Sequence, residues 1–331
     1  MAQVESEPRP LGGDIVGLGG STGEGVIGRT PRELIIRRFK RDKFAIGGLI
    51  FLGIMILLAI FAPLISKLLG HDPNSVSYLR QMTQENGLPN GPNFHLKFFF
   101  GADGAGRDLF VRVLYGARTS LAVALLATGI AVVIGVTVGL LAGFYRGKVD
   151  TFLSRTTDVV LSLPILLLSL GLVSACGATK EGCLGGTVKP GLLLVSYVIG
   201  LFSWPYIARI VRGQVLSLRE KEFIEAARAQ GANDFRIMFR EVLPNVAAPI
   251  IVYTTLIIPN NILFEAALSF LGVGVPDTTP SWGQMLDDAS GIFTVAWWMM
   301  LFPGLFLFAT TLAFNLVGDG LRDALDPRTA R

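Results

Sequence analysis

The sequence predicts an all-α polytopic membrane protein with six transmembrane helices and both termini in the cytoplasm. Apolar residues make up 51% of the 331 residues and charged residues only 16%, which is too few to cover a soluble protein of this length. Long charge-free stretches recur along the chain, and Lys and Arg gather in alternate gaps between them. The same composition excludes a disordered chain, because so much apolar surface has to be buried.

The charge-free stretches define the predicted helices in order. A spanning helix needs about 20 apolar residues, because each residue adds about 1.5 Å across a hydrocarbon core of about 30 Å. The stretches are 44–66, 119–145, 159–179, 190–208, 246–264 and 292–317, and the fifth resumes its apolar character after Glu265. Prolines such as Pro164 and Pro205 interrupt most of them, which a membrane bundle tolerates. We therefore predict a six-helix domain over residues 44–317.

The basic residues predict the orientation of these helices. Of the 29 Lys and Arg, 21 fall in the two terminal segments and in the gaps 146–158 and 209–245. The positive-inside rule places these segments in the cytoplasm. The predicted parts are a flexible Gly-rich tail with a basic anchor (1–43), external loops (67–118 and 265–291), a cytoplasmic loop (209–245) and a C-terminal tail (318–331). The net charge of +4 is then a topology signal, and no nucleic-acid partner is expected.

Several kinds of chemistry are missing from the chain. His71 and His95 are the two histidines, and no G-x-x-x-x-G-K-[ST] motif is present to cradle ATP phosphates. The G-x-G-x-x-G at Gly23, Gly25 and Gly28 follows no predicted strand, so it is not expected to bind a nucleotide. We predict no catalytic residue, no metal site and no cofactor in this chain, and an energy source in another subunit.

Two cysteines, Cys176 and Cys183, flank a short polar stretch on the predicted external side. Disulfides persist in such a compartment. We predict a disulfide that closes this hairpin, and two free thiols at the end of a helix are the alternative.

The loop 209–245 carries the most informative pattern. Phe223, Ala226 and Ala227 share one helical face, Gly231 breaks the pattern, and Asn233 or Asp234 can cap a second helix. In that helix the apolar residues also fall on one face: Phe235, Met238, Phe239 and Val242. A polar loop of this size is costly to order unless it docks on something. The pattern leaves open whether it docks on a partner or on its own bundle.

The residues of this loop resemble the EAA loop of ABC importer permeases. Glu225-Ala226-Ala227 is followed by Gly231 and, at the end, by Leu243-Pro244, although Glu241 stands where the family pattern has Ile. In that family the first helix sits in a groove of a separate ATPase subunit. The resemblance therefore implies that ATPase coupling depends on eight residues: Phe223, Glu225, Ala226, Ala227, Gly231, Phe235, Leu243 and Pro244.

Further segments resemble the C-type permease of dipeptide, oligopeptide and nickel importers. They are Phe100-Gly101-Ala102-Asp103, Gly106-Arg107-Asp108, Tyr115-Gly116-Ala117-Arg118, Pro280-Ser281-Trp282-Gly283 and residues 315–328. The resemblance implies a type I ABC importer permease in the bacterial cytoplasmic membrane that moves di- or oligopeptides inward. Implied partners are a second permease, one or two ATPases that bind ATP and Mg, an external binding lipoprotein and membrane lipid. Nickel or a glutathione-type substrate is the alternative, and a stand-alone channel or an intramembrane enzyme is a different class.

The external loop before the last predicted helix is a second candidate site. It lacks Lys and Arg and carries Asp277, Trp282, Asp287 and Asp288, which would line an external gate or meet a binding protein. A structural re-entrant turn is the alternative. Glu265 lies at the end of a predicted helix, where an unpaired charge is costly, so we expect it to pair with an arginine such as Arg107 or Arg118. Asp103 and Asp108 are expected to cap the helix that leads to the second stretch.

Overall fold

The computed structural model describes residues 31–85, 87–177, 183 and 188–325. Helices dominate this part of the chain, whose only β pairings are isolated bridges. The Gly-rich residues 1–30 and the tail residues 326–331 lie outside the described residues. The helices are α1 (Pro31–Phe39), α2 (Lys43–Leu69), α3 (Leu79–Met82), α4 (Leu109–Phe144), α5 (Lys148–Ser162), α6 (Ile165–Gly177), α7 (Leu192–Leu218), α8 (Glu222–Ala229), α9 (Asp234–Arg236), α10 (Leu243–Phe270), α11 (Trp282–Ser290) and α12 (Trp297–Leu325).

The all-α polytopic fold class is confirmed. Helices α2, α4, α7 and α12 are long and apolar enough to cross a membrane, and so is the continuous helix Asp234–Phe270, which joins α9 to α10. In that helix a π-helical segment, Ile237–Val242, lies between α9 and α10. A sixth crossing is formed if the bent pair of α5 and α6 counts as one span.

The third predicted stretch is wrong as a single helix. It spans the break between α5 and α6, whose axes differ by 83°. Pro164 has no N–H to donate, and the residue before a proline is pushed into extended backbone. Leu163 accordingly has φ −80° and ψ 142°, and it ends α5.

The second predicted stretch begins ten residues too late, because polar groups were taken as its boundary. Asp108 caps α4 by accepting a hydrogen bond from the amide of Phe110 at 2.9 Å. Arg112 lies inside the helix and is fully buried, with its Nε 3.4 Å from a carboxylate oxygen of Asp103. The charge of Arg112 predicted a loop, but Arg112 lies in a helix because a buried ion pair with Asp103 compensates that charge.

The predicted loop 209–245 and tail 318–331 also begin inside helices. Helix α7 continues to Leu218, and its two arginines pair with α5: Arg209 lies 2.8 Å from Asp158, and Arg212 lies 2.6 Å from Asp150. Helix α12 continues to Leu325. The segment 265–291 likewise contains the end of α10 and all of α11, so it is mostly helical.

Small residues bring α4 and α7 together side by side in the same direction. Glycines at four-residue spacing, Gly135, Gly139 and Gly143, face α7. A Cβ added at Gly139 would lie 2.7 Å from the carbonyl oxygen of Ala208, and one at Gly143 would lie 2.7 Å from the Cβ of Val215. Small residues at this spacing allow close helix contact in a membrane, where packing rather than the hydrophobic effect drives association.

The predicted tail and basic anchor include an ordered corner, residues 40–42, which joins α1 to α2. Helix α1 occupies part of the predicted segment 1–43. Asp42 then caps α2 by accepting hydrogen bonds from the amides of Phe44 and Ala45, at 2.9 and 3.1 Å. Gly320 of α12 admits this corner, because a Cβ there would lie 2.3 Å from the Cβ of Ala45.

Candidate functional site

The predicted docking segment comprises residues 219–244, from the end of α7 to the start of α10. Its first helix, α8, is attached to the rest of the chain by one buried side chain. Ile224 of α8 is fully buried in the core cluster that also contains Phe144, Val215 and Ile237. Three of its predicted contact residues, Phe223, Glu225 and Ala226, are exposed, and Ala227 is partly buried. One face of α8 therefore holds the helix to its own chain, and the opposite face is open.

Gly231 ends α8 in a Schellman motif. Its φ is +79°, the left-handed region that glycine adopts without strain. The amide of Gly231 donates to the carbonyl of Arg228 at 2.9 Å, and the amide of Ala232 donates to that of Ala227 at 3.1 Å. A Cβ at Gly231 would meet nothing within 4 Å. Within the described chain this glycine is required by its backbone conformation and not by space.

The second helix of the segment differs from the predicted pattern. Asn233 caps it, since its Oδ1 accepts from the amide of Arg236 at 2.8 Å. The π-helical segment then widens the turn, so Met238 and Val242 are buried while Phe235 and Phe239 are exposed with their ring centroids 4.4 Å apart. The predicted single apolar face is wrong, because a helix of ordinary pitch was assumed.

Leu243 and Pro244, the last two coupling candidates, start α10. Leu243 is partly buried against the same core cluster as Ile224. Pro244 is exposed and follows the π-helical segment directly, and it has no N–H to donate to a carbonyl of the preceding turn.

The docking segment is tied to the end of α4 by three polar contacts. The guanidinium of Arg219 donates to the carbonyl of Phe144 at 2.9 Å, which satisfies one of the last acceptors of α4. The guanidinium carbon of Arg228 lies 5.7 Å from the ring centroid of Phe144. Partial desolvation, followed by the charge of Asp234, raises the pKa of Tyr145. These contacts join α8 and the start of α9 to the end of α4, which packs on α7 through its glycines.

At the opposite end of the bundle an ionic cluster holds the predicted external loop against the start of α4. The Arg107 guanidinium lies 2.6 Å from Asp103 and 3.2 Å from Asp277. Burial raises the pKa of Asp277, but the hydrogen bond and charge of Arg107 together with Arg112 outweigh it, so this pKa lies below its ordinary value. Burial raises the pKa of Asp288. Asp103 also accepts from the amide of Arg107, so it stabilises a loop and does not cap α4 as predicted.

Two of the predicted gate residues are packed inside the protein. Glu265 is fully buried and accepts from the hydroxyls of Ser120 and Ser269, both at 2.8 Å. The expected pairing with Arg107 or Arg118 is wrong, because hydroxyls on α4 and α10 solvate the carboxyl instead. Trp282 is also fully buried, and its indole donates to the carbonyl of Val113 at 3.1 Å. Trp282 thus holds α11 against α4, and Glu265 joins α10 to α4.

The remaining acidic candidates line one cavity. Asp277, Asp287 and Asp288 share a space of about 520 Å³ with Gln284 and the turn after α10. Gln284 is buried, and its Nε2 donates to Asp277 at 2.8 Å. Of the predicted external residues, these three carboxylates are the ones that the structure brings together on an accessible surface.

Cys176 and Cys183 form a disulfide, with their Cα atoms 5.0 Å apart. Cys183 also exchanges backbone hydrogen bonds with Val188, at 3.0 and 3.3 Å. The bond fastens the end of α6 to the chain that leads into α7.

A polar link between three helices was not predicted as a unit. Asn261 of α10 donates to Thr128 of α4 at 2.9 Å and accepts from Ser203 of α7 at 3.0 Å. Hydrogen bonds of this kind join helices in a membrane. Sequence reasoning also missed Ile224 and Arg219, for which no short pattern gives a signal. The four-residue spacing of Gly135, Gly139 and Gly143 is visible in the sequence and could have been found.

Comparisons with known proteins give this arrangement its family. The family model described as "binding-protein-dependent transport system inner membrane component" matches residues 135–331. The chain belongs to this family. A second model, the N-terminal TM domain of oligopeptide transport permease C, matches residues 30–87. This chain is accordingly a multi-pass protein of the inner membrane and a subunit of a transporter.

Two relatives cover nearly the whole chain of this inner membrane component. The dipeptide transport system permease protein DppC of Alkalihalophilus pseudofirmus is 41% identical over 90% of both chains. The glutathione transport system permease protein GsiD of Pectobacterium atrosepticum is 38% identical over 91% of this chain and 92% of its own. Among solved structures, the inward-facing MetNI methionine ABC transporter matches with a TM-score of 0.54 and 22% identity. It covers 66% of this chain and 96% of the other, and it supports the ABC importer permease fold.

Proposed function

We propose that this inner membrane component is the C-type permease of an ATP-driven importer that moves di- or oligopeptides across the cytoplasmic membrane. The names of the relatives support the substrate class, since they transport dipeptides, other peptides or glutathione. The family supports the general assembly of permeases, ATPases and a binding protein. In this proposal the chain catalyses no reaction, and ATP and Mg are bound by the ATPase partners.

The observation that carries the coupling part of the proposal is the two-sided character of α8. Ile224 is buried, while Phe223 is 39% exposed and Phe235, beyond Gly231, is 66% exposed. Large exposed apolar side chains grouped on a polar segment are typical of a surface that meets another protein. We assign this surface, with Glu225 and Ala226 at its centre, to the groove of an ATPase subunit.

The pathway itself is proposed to lie at the contact with a second permease. The docking segment would face the cytoplasm, as the Lys and Arg distribution predicts, and the cavity lined by Asp277, Asp287 and Asp288 would face the external binding protein. A cysteine introduced at exposed Ala226 should then react with an impermeant maleimide only from the cytoplasmic side. A cysteine introduced at exposed Arg80 should react only from outside.

The function is tested by uptake into proteoliposomes that contain this chain co-purified with its partner subunits and binding protein. The substrates are a labelled dipeptide, a labelled pentapeptide, glutathione and nickel, each with ATP or with a non-hydrolysable analogue. We expect ATP-dependent accumulation of a peptide. ATP-dependent uptake of nickel alone would refute the peptide assignment, and conduction without ATP would refute the importer.

Glutathione is the second candidate substrate, because GsiD relatives match along almost the whole chain. It is itself a small peptide, so the same architecture serves both. Competition decides between them: unlabelled glutathione should displace a labelled dipeptide from uptake only if glutathione is the preferred substrate.

A further inference from the structure

An apolar groove opens between α1, α2 and α12, at the end of the bundle that carries the basic anchor. Its volume is about 480 Å³. Ile36 and Phe39 of α1 form one wall, Leu49 of α2 another and Leu321 of α12 the third. Ile36 and Leu49 are at least half exposed in the described chain. The groove is therefore an apolar slot that the described residues line and leave open.

One charged residue stands in the described wall of this groove. Lys40 lies directly after α1, and Arg37, Arg41 and Lys43 lie within one turn of it in the sequence. These four side chains are exposed, and none of them forms an ion pair with a described residue. The nearest carboxylate in sequence, Asp42, is engaged in capping α2. A cluster of four basic side chains thus borders the apolar groove.

The corner that joins these two features is rigid. The amides of Lys40, Arg41 and Asp42 donate to the last carbonyls of α1, at distances between 3.0 and 3.1 Å. Gly320 allows α12 to pack directly beneath the corner. The backbone at Lys40 is consequently held beside the groove that its side chain lines.

We propose that this groove binds one anionic phospholipid, with an acyl chain in the slot and the headgroup phosphate at Lys40 and Arg41. The chemistry favours this occupant over a zwitterionic lipid, because clusters of Lys and Arg beside a transmembrane helix attract anionic headgroups. It also favours a lipid over a protein partner, because the slot lies along a membrane-spanning helix and opens where acyl chains are the surrounding solvent. The site is independent of the peptide specificity of the transporter.

The test uses the purified full chain in phosphatidylcholine nanodiscs that contain a small share of photoactivatable phosphatidylglycerol. Cross-linked peptides are mapped by mass spectrometry. We expect them to concentrate at the end of α1, the start of α2 and the last turns of α12. A photoactivatable phosphatidylcholine that labels these peptides equally well overturns the headgroup assignment. Labelling spread evenly over the lipid-facing helices overturns the site.

Two kinds of variant separate the headgroup from the slot. K40Q/R41Q should lower the phosphatidylglycerol labelling roughly 25-fold, at about fivefold for each basic side chain removed. R236Q/R240Q removes the same charge from exposed positions on the docking segment and should leave the labelling unchanged. L321W should block the slot. If that variant fails to elute as a single species, L49W fills the slot from the other wall, and unchanged labelling in the folded variants overturns the proposal.

Discussion

Replacing Gly139 by alanine tests whether close contact between α4 and α7 is the basis of the fold. The added Cβ would lie 2.7 Å from both the carbonyl oxygen of Ala208 and the Cβ of Val211. Ordinary van der Waals contact begins near 3.4 Å, so the two helices must separate by about 0.7 Å at this point. Separation cannot stay local, because Gly135 and Gly143 make equally close contacts on either side.

Two effects of opposite sign decide the magnitude. Overpacking a tight contact costs about 1–3 kcal/mol. Alanine in place of glycine within a helix returns up to about 1 kcal/mol through backbone entropy. The overpacking term is larger, so Gly139→Ala should destabilise the protein by about 1 kcal/mol. Gly129→Ala is the matched control in the same helix, because its Cβ would meet nothing within 4 Å.

The assay is thermal unfolding of both variants in the same detergent, followed by size-exclusion chromatography and tryptophan fluorescence. In chains of a few hundred residues, 1 kcal/mol shifts the Tm by about 2–4 °C. Gly139→Ala should unfold a few degrees below the wild type, and Gly129→Ala should unfold at or above it. If Gly139→Ala proves as stable as Gly129→Ala, the proposed glycine contact is wrong.

Four further outcomes follow from the structure. Gly231→Val should impair transport because valine resists φ +79°, whereas Gly231→Asn should retain most of it, and equal uptake by both variants in proteoliposomes contradicts this. Non-reducing peptide mapping should find Cys176 linked to Cys183, and two freely alkylated thiols would sink that assignment. Glu265→Leu should lower the free energy of unfolding by about 1–3 kcal/mol, because the hydroxyls of Ser120 and Ser269 lose their acceptor, while Glu265→Gln keeps one acceptor oxygen. A leucine variant as stable as the wild type in thermal unfolding argues against this role of Glu265 as a hydrogen-bond acceptor. The pKa of Asp277 lies below its ordinary value, so its carboxylate stabilises the predicted external loop at neutral pH. This contribution is lost as the pH falls through the folded-state pKa. Protection of the loop from protease should therefore weaken in acid for the wild type but not for Asp277→Asn.

The apolar stretches predicted the helical membrane fold because charge is costly in a bilayer. Five helices of the described residues are long and apolar enough to cross a membrane, and with one bent pair they confirm the fold class. Charge was also the source of the errors in helix length. Arg112 and Arg212 lie inside helices because carboxylates on neighbouring elements compensate them, and such pairs are not visible in one dimension. The break at Pro164 was a signal in the sequence that the uniform hydropathy of the stretch concealed.

The turn and cap of the docking segment were predictable from the sequence, and the packing of the predicted external loop was not. Gly231 ends one helix through its positive φ, and Asn233 caps the next through its side chain. Both effects involve residues close together in the sequence, so a short motif predicts them. The exposure of Phe235 and Phe239, in a segment where Met238 and Val242 are buried, depends on a π-helical turn that no periodicity of 3.6 anticipates. Glu265 and Trp282 read as exposed gate residues, but they pack against α4, more than 140 residues earlier in the chain.

Helix α8 is the proposed contact between this permease and an ATPase, and one ratio tests this role directly. The measurement is the number of peptides imported per ATP hydrolysed by the reconstituted complex, for the wild type, Glu225→Lys and the exposed external control Glu85→Lys. We predict that Glu225→Lys inserts normally but imports far fewer peptides per ATP, and that Glu85→Lys matches the wild type. A wild-type ratio for Glu225→Lys would contradict the coupling role of α8.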